Sequence, residues 1–143
     1  MKPRRPDYAD YVRNIFDRAP FIRDLGITIV DLGPGWCETA MAVAPRFLQQ
    51  DGFVHAGVTT TLADHTAGGA AGTLIGPDEI VLTSEYNIHF LRKWRAERLI
   101  CRATVLKPGA MLIVVEAEVR SQDVLIAKMT ATVAVVPADR IGR

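Results

Sequence analysis

Apolar residues recur at helical spacing over residues 7–18, where Tyr8, Tyr11, Val12, Ile15 and Phe16 alternate with charges. The pattern predicts an amphipathic helix that ends before Pro20 and serves as a lid or clamp. Beyond Gly26 the period shortens to two. Ile27, Ile29 and Val30 suggest a strand, Gly33-Pro34-Gly35 a turn, and residues 36–43 a second strand with Trp36, Glu38, Ala40 and Ala42 on one face. Pro45 ends this hairpin, and a polar loop over 46–52 leads to a mostly apolar helix expected over about 54–74. Four strand patterns complete the chain, at 79–91, 99–106, 110–120 and 124–136. In the first of them Tyr86, Ile88 and Phe90 share one face, and Glu85, Asn87 and His89 the other. Lys107-Pro108-Gly109 and Ser121-Gln122-Asp123 join the last three strands into an antiparallel meander. The expectation is a single α+β domain, with an antiparallel sheet against one long central helix.

That central helix is unusual in two ways. Its second half is built of Ala63, Ala67, Gly68, Gly69, Ala70, Ala71 and Gly72. Glycine inside a helix costs up to about 1 kcal/mol relative to alanine, so another element must approach the backbone closely, either a tightly wrapped sheet or a second copy of the helix. The helix also carries Asp64 about two turns in, beyond any capping position. A carboxylate in such surroundings has to be solvated, paired or used. Just ahead of it runs Gln49-Gln50-Asp51-Gly52-Phe53-Val54-His55-Ala56-Gly57-Val58, which places free backbone N–H groups at a helix start, where negative charge is stabilised. Loop and acid together suggest an oxyanion site with a general base.

Bulk properties narrow the field. The 143 residues are 49% hydrophobic and carry a net charge of +1, which gives no electrostatic footprint for nucleic acid or an anionic membrane. The Lys2-Pro3-Arg4-Arg5 cluster reads as a solvated, mobile terminus. Cys37 and Cys101 fit no metal spacing and are expected as reduced thiols in a cytoplasmic protein without a disulfide. No run has the character of a signal peptide or a membrane span, and phosphate-cradling glycine motifs are absent.

The loop, the Asp-bearing small-residue helix and the closing meander resemble the PaaI-like acyl-CoA thioesterases of the hotdog-fold superfamily. The family pattern Asn-x-x-Gly-x-x-His-Gly-Gly reads here as Gln49 to Gly57, followed by Leu62-Ala63-Asp64, with the same spacing. Gln49 stands in place of Asn, and Ala56 in place of the first glycine of the pair. The resemblance implies a sheet of five or six strands wrapped around the helix, and a homodimer or tetramer whose active sites lie between subunits. The substrate would be acyl-CoA, with no metal or other cofactor and no nucleic-acid or membrane partner. It also implies that the Gly57 N–H holds the thioester oxygen while Asp64 arrives from the partner helix.

Candidate catalytic residues are therefore Asp64 as base or nucleophile, Gly57 as backbone donor, His55 as loop orienter, thioester contact or cap of a backbone group, and Gln49 as an amide that orients water or thioester. Thr83 aligns with a hydroxyl position that helps place water in relatives. Val58 at the helix start, and Arg92 and Lys93 flanking Trp94, are the remaining substrate-binding candidates, the cations for CoA phosphates. His65 lies about 100° around the helix from Asp64 and is expected to pack, and His89 to be structural or at the surface. Phe21, Phe53 and Tyr86 are candidates to line an apolar tunnel, with core packing the first explanation for each. The alternatives are a hotdog hydratase or dehydratase and a non-catalytic acyl-CoA sensor.

Overall fold

The computed structural model describes residues 1–141. Helices α1 (Tyr8–Arg18) and α2 (Pro20–Leu25) lead into strands β1 (Thr28–Gly33) and β2 (Trp36–Ala42), then helix α3 (Ala56–Gly72). Strands β3 (Glu79–Phe90), β4 (Arg98–Lys107), β5 (Leu112–Ser121) and β6 (Val124–Pro137) follow. The six strands form one antiparallel sheet in the order β1-β2-β4-β5-β6-β3. β4, β5 and β6 are the expected meander, while β3 crosses over to pair with β6 and becomes an edge. The sheet wraps α3, which touches every strand from β2 to β6. This is the α+β arrangement that the sequence implied.

Period-two patterning sets the register. Leu99, Cys101, Ala103 and Val105 of β4 and Ile113, Val115, Ala117 and Val119 of β5 are buried toward α3, and the paired positions Cys101↔Val119, Ala103↔Ala117 and Val105↔Val115 share that face. Both cysteines are buried as free thiols, and removal from water pushes each up to about 12, so neither is a nucleophile at neutral pH. The buried Thr39 and Thr66 hydroxyls satisfy each other. Thr66 donates to the Leu62 carbonyl at 2.6 Å and accepts from Thr39 at 2.6 Å, tying α3 to β2.

The expected close approach to α3 comes from within the chain, and from an unexpected side. A Cβ on Gly69 would lie 3.1 Å from Phe16 and 3.2 Å from the Cys37 sulfur, and one on Gly72 3.3 Å from Val12. α1 presses onto one flank of the helix while β2 holds another. Gly68 differs, since a Cβ there meets nothing within 4 Å. Phe16 also receives the His65 ring edge-on at a centroid distance of 4.4 Å.

Several boundaries shift from the sequence reading. α3 is two residues shorter at each end than 54–74, because Val54 pairs with Leu48 in an isolated bridge and His55 is the extended N-cap, while Thr73 closes the helix. α2 was not foreseen. It is too short for a periodic signal, yet Pro20 opens it and Gly26 closes it with φ 70° and an N–H returned to the last turn. The basic N-terminus is held rather than free: Arg4 donates to the Leu74 carbonyl and pairs with Glu79 at 2.6 Å, and Arg5 stacks on Tyr11 at 3.9 Å. Among the described residues no helix is long and apolar enough to cross a membrane.

Two stability predictions follow from the packing of α1 on α3. Gly69→Val forces Phe16 and Cys37 apart and should cost about 1–3 kcal/mol in chemical denaturation, whereas Gly68→Ala should gain up to about 1 kcal/mol of helix propensity. Burial against Phe16 lowers the His65 pKa from 6.5, with the charge of Asp64 acting in the opposite sense. The unfolded chain then takes up a proton that the folded chain resists, so the melting temperature should fall as pH drops below 6.5 toward the lowered value. His65→Phe should flatten that part of the profile.

Candidate active site

Asp64 faces β3 from the third turn of α3. The Thr83 hydroxyl donates to Asp64 Oδ1 at 2.7 Å, which fixes the carboxylate and leaves Oδ2 for other work. A bulge in β3 between Thr83 and Glu85 makes this possible. Thr83 pairs with Val133 and Tyr86 with Ala131, both helix-facing positions of β6, so the extra residue Ser84 lets two residues three apart point the same way. The pair opens into a cleft of about 250 Å³ whose walls include Tyr11 and Ile15 of α1, His65 and Gly68 of α3, Val81 of β3 and Val133 of β6.

The start of α3 is built by the preceding loop. Gly52, with φ 80°, closes a tight turn by donating to Gln49, after which the Val54 N–H reaches the Trp94 carbonyl and the His55 N–H the Phe47 carbonyl, each at 2.9 Å. His55 caps the helix with its ring. Its Nδ1 accepts the Gly57 N–H at 2.9 Å, and its carbonyl accepts the Val58 N–H at 3.0 Å. Nδ1 therefore carries no proton in this arrangement. Ala56 N–H has no partner among the described residues. The Gln49 side chain is turned to its own loop, where it bonds Asp51.

Gln49 and Ala56 border a second cleft of about 390 Å³ with Phe53, Arg92 and Lys93. Arg92 donates to the Leu125 carbonyl at 2.9 Å, and the Lys93 ammonium lies 5.4 Å from the Phe53 ring centroid. Arg95, flanking the same ring at 4.9 Å, reaches the Asp51 carbonyl. Val58 is half-buried and packs against the core.

The structure thus brings together Asp64 with Thr83, and Gln49 with Arg92 and Lys93, but it keeps the two groups apart. Gly57 and Asp64 lie on nearly the same side of α3, about 10 Å apart along its axis. None of the three aromatics Phe21, Phe53 and Tyr86 packs in the core. Phe21 is 62% exposed, because α2 spends Ile22 and Leu25 on the core. Tyr86 is 48% exposed on the outer strand, and Phe53 borders the second cleft instead. Tyr11, Ile15, His65 and Gly68 were missed as cleft residues. The Tyr11–Ile15 spacing of one helical turn was the available signal for the first two.

Residues 51–128 match the model of the thioesterase superfamily. A thioesterase family protein from Silicibacter pomeroyi is 38% identical and superimposes with a TM-score of 0.89 over 91% of this chain and 98% of its own. The 1,4-dihydroxy-2-naphthoyl-CoA hydrolase of Listeria monocytogenes is 31% identical over 98 residues, 68% of this chain and 80% of that one. The E. coli PaaI protein of the phenylacetic acid degradation operon, at 21% identity, shares the fold with a TM-score of 0.83 over 91% of this chain and 94% of that one. A six-stranded sheet around a small-residue helix, an acid on that helix and a capped loop ahead of it thus meet in a chain that belongs to the thioesterase superfamily and is a thioester hydrolase of the hotdog fold.

Proposed function

We propose that the protein hydrolyses an acyl-CoA thioester at a site completed by two copies of the chain. The observation that carries this reading is the separation along α3. An attacking group must come within about 3–3.5 Å of the carbonyl carbon, so one helix cannot supply both the Gly57 donor and the Asp64 acid to one thioester. A second helix running the opposite way can supply the acid. The free edge of β3 supports such a pairing, since its backbone groups are open and Leu82, Tyr86 and Phe90 along it are exposed.

In this reading the thioester oxygen replaces His55 Nδ1 on the Gly57 N–H, with the Ala56 N–H beside it and the helix dipole behind both. The partner's Asp64, held by the Thr83 hydroxyl of its own chain, takes a proton from water as the water oxygen bonds to the carbonyl carbon. Collapse of the tetrahedral intermediate breaks the C–S bond, and the CoA sulfur leaves and is protonated. Direct attack by Asp64, with water then cleaving the anhydride, uses the same groups. Arg92 and Lys93, with Arg95 beside them, suit the phosphates of CoA. The cleft beside Asp64, too small for a whole CoA ester, suits the acyl group. The Listeria relative acts on a hydroxylated aryl-CoA, which supports an aromatic acyl group here.

A free-thiol assay over aliphatic and aromatic acyl-CoAs tests the activity. Thiol release is expected with at least one member, whereas a hydratase would leave the thioester intact and a sensor would bind without turnover. Asp64→Asn should lower kcat by roughly a hundredfold or more while substrate still binds. Near-normal turnover in a folded variant contradicts the assignment. Thr83→Val, which frees the carboxylate without removing it, should lower kcat by about tenfold with little change in KM.

A further inference from the structure

His65 is explained only in part by packing. Its edge contact with Phe16 would be served as well by phenylalanine or leucine. The ring nitrogens make no hydrogen bond to any described residue, and Nε2 is shielded from solvent as well as unpaired. Buried polar atoms in folded chains are overwhelmingly paired, so an exception asks for a use. The ring borders the cleft that holds Asp64.

Its neighbours in that cleft leave it a distinct part. Ile15, Ile80, Val81 and Val133 offer only hydrocarbon, the Thr83 hydroxyl is committed to Asp64, and the Tyr11 hydroxyl reaches the Glu79 carbonyl at 3.4 Å. Gly68, one turn beyond His65, leaves open space in the wall. An apolar pocket with one or two placed polar groups is the common design of a selective site. Burial holds the imidazole neutral at pH 7 against the pull of Asp64, the ionisable group next to it, so the ring offers one donor and one acceptor.

We infer that His65 is a specificity residue, hydrogen-bonding a hydroxyl carried by the acyl group that enters beside Gly68. A hydroxyl both gives and takes a proton, which matches a neutral imidazole. Because Nε2 is shielded, the bond requires the packing around the ring, Phe16 included, to yield. The inference rests on the proposed reading of the Asp64 cleft as the acyl site.

The test compares kcat/KM of the oligomeric wild type for benzoyl-CoA and its 2-, 3- and 4-hydroxy derivatives, and for octanoyl-CoA and its 3-hydroxy derivative. At least one hydroxylated member should be preferred over its parent by about tenfold, the worth of one good hydrogen bond. His65→Phe, which keeps the ring contact, should bring that ratio close to one, and His65→Gln should restore part of it. A wild-type ratio near one for every pair overturns the inference, as does a ratio that survives in folded His65→Phe. If no acyl-CoA is hydrolysed, the catalytic reading fails separately. The ring then reports directly through the ¹⁵N resonances of the His65 imidazole during titration of wild type with the hydroxybenzoates or with benzoate. Displacement by a hydroxylated acid alone supports the inference, and equal responses to both refute it; the same titration decides the matter should His65→Phe not fold.

Discussion

A rigid helix fixes the distance between a carboxylate and a helix start, and the chemistry of this chain depends on that spacing. Seven residues of α3 separate Gly57 from Asp64, which returns them to the same side of the helix about 10 Å apart. No side-chain rotation closes such a gap. In the proposed reading the free edge of β3 beside Asp64 and the basic second cleft near the helix start become halves of two sites. In this account the second copy of the chain is a reactant-positioning element as well as a source of buried area.

The small residues of α3 make the helix dependable as a ruler. They let α1 and β2 close on Gly69 and Gly72 to van der Waals contact, so that a helix with poor intrinsic propensity is held by its surroundings. The same α1 supplies Tyr11 and Ile15 to the cleft wall. In the proposed reading packing and substrate selection share one interface, and His65 lies in it, with Phe16 on one side and the cleft on another.

Much of this was legible in the sequence, for identifiable reasons. The meander, the central helix and the placement of Asp64 follow from local periodicity and from an acid among small residues, which are one-dimensional signals. Pairing across the chain is not. The crossover that sets β3 beside β6 is one such long-range pairing, and the Thr83–Asp64 hydrogen bond depends on a bulge at Ser84 that no residue type announces. The sequence marked Gly57 as a free donor, yet the ring of His55 takes that N–H, because a residue at the cap position has a side chain within reach of the second helical N–H. Arg4 and Arg5 looked like a solvated tail, since charge composition carries no information on a carbonyl 70 residues away. Phe21 was expected in the core or along a tunnel, and α2, with Ile22 and Leu25 inward, turns it out of the core.

The sharing of one site by two chains is the claim on which the rest turns, and mixed oligomers test it most directly. On this account Asp64→Asn and Gly57→Pro should each disable every site in their own homo-oligomer, the second by removing the backbone donor at an early helical position that accepts proline. Unfolded together and refolded, or co-expressed, they form hybrids in which one site takes an intact Gly57 from one chain and an intact Asp64 from the other. The account predicts thiol release returning to about a quarter of the wild-type level for random pairing in dimers. Activity no greater than the sum of the two separate variants, in a preparation shown to contain hybrids, would contradict it.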